Sequence, residues 1–149
     1  MNRPSADPRK RSPMDTLNGF YEAEQRYVAA GGAKANADYS EMASFFHPDI
    51  VGRQGPSVPF PGDWVGKDGV KKFFEVFSDT WSTLDLSDIN HFEGETGVVV
   101  TLRMKATSCA TGKLLDTRVA HAFTIEDGLI REITVYYFDP VQVKAVTLP

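Results

Sequence analysis

The stretch RVAHAFTI places His121 on the same strand face as Val119, Phe123 and Ile125. An imidazole among such neighbours has its charged form disfavoured. Its pKa falls below ~6.5, which leaves a neutral base near pH 7. Glu24 occupies an equivalent position on a helix, in the apolar stripe between Phe20/Tyr21 and Tyr27/Val28. A carboxyl buried there has a raised pKa and becomes a general acid or base. Tyr21 and Tyr27 add phenol hydroxyls to the same face. The chemistry these types support is proton transfer by a general acid and a general base. Competing readings remain open: a core histidine satisfied by hydrogen bonds, a stripe edge that reaches solvent with Arg26 nearby, and tyrosines bonded to backbone.

Other chemistries find no pattern. Three widely spaced histidines lack a second ligand at metal spacing. GDWVGKDG lacks a preceding long strand and the Lys-Ser/Thr ending of a phosphate loop, and no serine nucleophile elbow is present. The expectation is chemistry without cofactor or metal. Asp139 in YYFDP reads as a helix cap, because Pro140 follows it at the first helical position.

The elements that must position these groups follow from periodicity. Leu17, Phe20, Tyr21, Glu24, Tyr27 and Val28 form one helical face over 14–30, ended by Gly31-Gly32 and capped by Asp15 or Thr16. A shorter helix is expected at 38–46, then a strand over 50–54 and a loop over 55–66. Val70, Phe73, Phe74, Phe77 and Trp81 repeat at helical spacing. Beyond residue 82 the period changes to two, giving four antiparallel strands over 83–92, 97–109, 114–126 and 129–138, the last two joined at Asp127-Gly128. Helices set apart from an antiparallel sheet mean α+β. A curved antiparallel sheet wrapped around three N-terminal helices makes a cone, with a central cavity where helix and sheet do not meet.

A chain of 149 residues is one domain, expected over 14–149. Residues 1–13 carry a balance of +3 and read as a disordered basic tail, leaving about −7 on the acidic body. That body lacks the clustered Lys and Arg of a nucleic-acid surface. The single Cys109 closes no internal disulfide, and no apolar run approaches a membrane span or signal peptide. The default is a soluble cytoplasmic protein.

In order and spacing, EQRYVAA, FFHPDIV, GDWVGKDGVKKFF and VAHAFTIEDGLIREITVYYFD resemble the nuclear transport factor 2-like superfamily, within it the SnoaL-like polyketide cyclases and ketosteroid isomerase. The resemblance covers nearly the whole chain after residue 14 and implies the cone fold. Carried over from ketosteroid isomerase, the oxyanion-holding tyrosine falls at Tyr27 and its late-strand acid at His121. The proton-moving aspartate falls at Gln54 or Arg53, neither of which is a carboxylate. Against limonene-type epoxide hydrolases, Arg103 matches the arginine, but the flanking aspartates fall at Lys105 or Met104 and near Tyr136. SnoaL-like cyclases rely on a looser acid–base pair, which His121 fits, with Asp116 or Glu24 as partner.

The resulting expectation is a cofactor-independent cyclase, isomerase or dehydratase acting on a small hydrophobic carbonyl-bearing metabolite such as a polyketide. His121, Glu24, Tyr27 and Arg103 are the catalytic candidates. Tyr21, Gln54, Phe74, Phe123 and Tyr136 are the binding candidates within the cone. Trp64 and Phe60, in FPGDWVG, are read as the rim or lid of the cavity, against the plainer use of a tryptophan to anchor the turn. The alternative is a non-catalytic binding or dimeric assembly module. A homodimer is expected under either reading, through an outer sheet face carrying Val98, Val100 and Leu102 or their alternates.

Overall fold

The computed structural model describes residues 7–149. Helix α1 (Pro13–Ala29) begins where Ser12 accepts a hydrogen bond from the Asp15 amide at 3.1 Å and Pro13 has no amide to leave unpaired. The cap is therefore Ser12, not Asp15 or Thr16. The Thr16 hydroxyl donates to the Gly128 carbonyl at 2.7 Å and ties α1 to the last hairpin. At the other end Gly31, with φ of 95°, lets the Gly32 amide close back onto the Tyr27 carbonyl. Of the tail expected to be disordered, residues 1–6 lie outside the described residues. From Asp7 onward the chain is placed: Pro8–Lys10 make a 3-10 turn and the Arg11 guanidinium lies 4.9 Å over the Phe45 ring.

Helix α2 (Ser40–Ala43) is a single turn, shorter than the span expected, because the chain is already extended at Phe46. Strand β1 (Phe46–Gln54) is followed by β2 (Gly62–Val65), helix α3 (Gly66–Thr80) and four long strands, β3 (Trp81–Glu93), β4 (Gly97–Ser108), β5 (Leu114–Glu126) and β6 (Leu129–Tyr137). Helix α4 (Pro140–Ala145) closes the chain, capped by Asp139 through the Gln142 amide as the Asp-Pro pair implies. Strand β2 lies in the stretch read as loop. Its four residues carry no alternation to signal a strand, and it forms by pairing Trp64 opposite Gly52.

The sheet order is β2-β1-β6-β5-β4-β3. All joints are antiparallel except β1–β6, where the strands run parallel. The Asp127-Gly128 turn has both residues at positive φ, 54° and 74°, as a two-residue hairpin requires. Register shifts at Ser87/Asn90 and at Thr124/Ile125 add residues to one strand of a pair, which bends the sheet. The result is α+β: a curved, unclosed sheet with α1 and α3 packed on its inner face. Val98, Val100 and Leu102 are buried there, so the outer face carries their alternates Val99, Thr101 and Arg103.

The three aromatic residues Phe20, Phe46 and Phe74 join α1, β1 and α3, with the Phe46 ring 5.7 Å from Phe20 and 6.0 Å from Phe74. Phe74→Ala removes the member that also touches Tyr39, Phe73 and Phe77. It is expected to lower unfolding free energy by about 3–5 kcal/mol, measured by urea denaturation; a loss below 1 kcal/mol would contradict a tightly packed centre.

Candidate functional site

Tyr21 and Glu24 stand one turn apart on α1, and both point from the helix into the sheet's inner face. On β5 the inward positions are Val119, His121 and Phe123, and pairing with β6 sets Val135 opposite His121 and Tyr137 opposite Val119. Between α1, α3 and the sheet lies a cavity of about 50 Å³. That exceeds the ~10–15 Å³ a cavity needs to hold one water. Phe73, Phe74 and Phe77 from α3 and Leu84, Leu86 and Met104 from β3 and β4 make its walls apolar. The polar residues on those walls are Glu24, His121, Tyr137, Gln54 and Arg53.

Glu24 is 7% exposed, and it has no hydrogen bond or ion pair among the described residues. Burial pushes its carboxyl up from 4.5 to about 8. Arg26, two residues on, turns away to pair with Glu41. The surface His121 retains lies on the cavity wall. Burial moves its imidazole down from 6.5 to about 4. Near pH 7 both groups are therefore mostly neutral, the carboxyl able to give a proton and the imidazole uncharged. Tyr21 from α1 contacts His121 directly, and Glu24, Tyr137, Gln54 and Arg53 share the cavity wall with it. Burial holds both phenols far above their ordinary range, and the Glu24 charge raises them further.

Tyr21 approaches His121 through its hydroxyl, 2.7 Å from Nδ1, with the rings stacked at 5.7 Å. Phe123 stands perpendicular to the imidazole at 5.7 Å. These two reach the site through His121 and do not line the cavity themselves. Gln54 does line it, and its Oε1 is buried without a donor among the described residues. Phe74 is a wall residue, as the helical spacing indicated.

Five expected site residues lie elsewhere. Arg103 is on the outer face, in a two-pronged ion pair with Asp116 at 2.7 and 2.8 Å. One residue either side, Leu102 and Met104 take the inward positions. Asp116 is thereby removed as a partner for His121, which leaves Glu24. Tyr27 is buried against the Tyr39 ring at 5.8 Å, outside the central cavity. Tyr136 is 59% exposed on the outer face, and its neighbour Tyr137 takes the cavity position. Trp64 donates to the Phe60 carbonyl at 3.3 Å and packs edge-on against Phe73 at 5.5 Å. Phe60 is fully buried against Phe73 and Phe77. Both stand behind the cavity wall, so Trp64 anchors its turn. Tyr137, Leu84, Leu86 and Met104 were missed; the alternation Ile133, Val135, Tyr137 was the available signal for the first.

Among the described residues no three His, Cys, Asp or Glu side chains gather at metal-binding spacing, and no helix is long and apolar enough to cross a membrane. Residues 25–133 match the family model of the SnoaL-like domain, and the chain belongs to that family. Solved structures agree on the fold. An NTF2-like protein from Burkholderia thailandensis is 20% identical with a TM-score of 0.75, covering 93% of this chain and 99% of that one. A Xanthomonas campestris protein named as a candidate polyketide cyclase is 20% identical with a TM-score of 0.67, over 89% and 93% of the two chains. TerC, crystallised with polyporic acid, is 21% identical with a TM-score of 0.61, over 85% and 92%. No curated protein matches the sequence.

The two shifted groups give opposite slopes of stability with pH. Glu24 supports the fold fully below pH 4.5, and that support is lost as pH rises toward 8. His121 supports it fully above pH 6.5, and that support is lost as pH falls toward 4. Between 4.5 and 6.5 the slopes cancel. Above 6.5 only Glu24 acts, and at 1.36 kcal/mol per unit the loss to pH 8 is ~2 kcal/mol. Urea denaturation of wild type and Glu24→Gln should therefore diverge by that amount across pH 6.5–8. Parallel curves would show that the carboxyl is not held neutral.

Proposed function

We propose that this protein is a cofactor-independent enzyme that moves a proton on a small hydrophobic, carbonyl-bearing metabolite, in a cyclisation, isomerisation or dehydration. The observation that carries this reading is the placement of Glu24 and His121 on one apolar cavity, with no ion pair to either. Groups held near neutrality away from water exchange protons with a bound substrate at low cost. The apolar walls favour a hydrophobic body, and the Gln54 amide offers an orienting hydrogen bond. Polyketide-like substrates accord with the family and with the names of some structural relatives. A multi-ring substrate exceeds 50 Å³, so it requires the α3 phenylalanines to shift.

A binding-only module is the second reading, favoured by that small volume and by Gln54 and Arg53 standing where a proton-moving carboxylate is found in ketosteroid isomerase. The two separate in one screen of enolisable ketones, aromatic polyketides, terpenoids and steroids, scored for thermal stabilisation and for product. Under the enzymatic reading a stabilising compound is turned over, Glu24→Gln lowers kcat by about 10²–10⁴-fold, and His121→Phe lowers it comparably. Stabilisation without product, or full turnover in both variants, contradicts it.

The same reading includes a homodimer formed through the outer sheet face, where Phe92, Val99 and Tyr136 are exposed. Sedimentation velocity should give twice the chain mass, and Tyr136→Glu should shift it toward monomer. A monomeric wild type contradicts the dimer.

A further inference from the structure

The hydroxyl of Tyr21 has one hydrogen-bond partner among the described residues, His121 Nδ1 at 2.7 Å, and the tyrosine is 2% exposed. Two proton arrangements fit that distance. If Nδ1 carried the hydrogen, the imidazole would donate to the phenol oxygen and the phenol's own hydrogen would be buried with no acceptor. An orphaned buried donor costs about 1–3 kcal/mol. If the phenol donates to Nδ1, both atoms are satisfied, and a neutral imidazole then carries its hydrogen on Nε2. Phe123, perpendicular to the ring, and Tyr21, stacked on it, leave the imidazole one orientation. Nε2 is the ring's only polar atom left for the cavity.

We infer that Tyr21 is a positioning residue that locks His121 as an Nε2–H hydrogen-bond donor to the cavity, so that the site takes its ligand by an acceptor oxygen, a carbonyl or the enolate derived from it. This rests on the proton-transfer reading and divides its labour. His121 holds the oxygen on which negative charge develops, as a neutral donor already in place. Glu24, across the same cavity, is the group that takes or returns the proton. In the enolisation step the fraction of Glu24 that is ionised at pH 7, about a tenth for a carboxyl pushed up to about 8, accepts a proton from the carbon next to the carbonyl. The C–H electron pair becomes the C=C bond, and the carbonyl pair moves onto the oxygen facing Nε2–H. Where the substrate carries a further C=C next to that carbon, the product is a dienolate, and return of the proton to its far carbon completes an isomerisation.

The test reads the imidazole directly and needs no substrate. In a long-range proton–nitrogen correlation spectrum of the ¹⁵N-labelled protein at pH 7, with His121→Gln identifying the ring, Nε2 should be protonated and Nδ1 bare, at the shift of a nitrogen accepting a hydrogen bond. In Tyr21→Phe the Nδ1 resonance should move to the position of an unbonded nitrogen while the backbone amide spectrum is retained. Cyclopentanone should shift the Nε2 proton downfield, and cyclopentane should not. Nδ1 protonated in the wild type, an unmoved Nδ1 resonance in folded Tyr21→Phe, or an equal response to both probes would each overturn the inference; if Tyr21→Phe does not fold, the wild-type tautomer still decides. A protonated Nδ1 alongside turnover that depends on Glu24 and His121 would refute the lock and leave the enzymatic reading standing.

Discussion

The site depends on one constraint: a carboxyl and an imidazole share an apolar cavity without a counterion. Water would stabilise each charged form by many kcal/mol, and the surrounding phenylalanine and aliphatic walls remove it. Proteins usually resolve such a burial by pairing the charges. Here the two groups are instead kept uncharged, with the carboxyl raised and the imidazole lowered by the same cause. That state costs the fold stability at either end of the pH range, and it leaves near pH 7 a carboxyl that exchanges its proton and a neutral imidazole beside it.

The architecture explains how the cavity persists. Bulges in β3 and between β5 and β6 bend the sheet, and the cavity lies between it and α1 and α3, with Glu24 and His121 on its wall. The hairpin turn at Asp127-Gly128 is tied to α1 through Thr16, which fixes the helix carrying Tyr21 and Glu24 against the strand carrying His121. A shift of α1 along its axis would lengthen the 2.7 Å contact between Tyr21 and His121 and, together with it, move Phe20 against Phe46 and Phe74. Positioning and folding therefore rest on the same packed joint.

Much of this was legible in the sequence. Glu24 interrupting a helical apolar stripe, and His121 sharing a face with Val119 and Phe123, both report burial through periodicity, and both line or form the site. What misled was register. Arg103 alternates with Leu102 and Met104, and a one-residue slip exchanges the faces of a strand; the same slip separates Tyr136 from Tyr137. Tyr21 and Tyr27 share a helical face, yet they lie nearly two turns apart along the axis, and periodicity carries no information about which one the cavity lies beneath. Strand β2 was unreadable because pairing with β1, not local pattern, makes it a strand. Trp64 in FPGDWVG was too large to ignore, but its ring serves Phe73 and the Phe60 carbonyl, a choice settled only by the packing of α3.

The shared neutrality of Glu24 and His121 is most directly tested at the carboxyl. Infrared difference spectroscopy on protein labelled with ¹³C-glutamate, with Glu24→Gln as the reference, isolates the stretch of this one group. The account predicts a protonated carboxyl band that persists at pH 7 and is lost with a midpoint near 8. A carboxylate band already complete at pH 6 would contradict it.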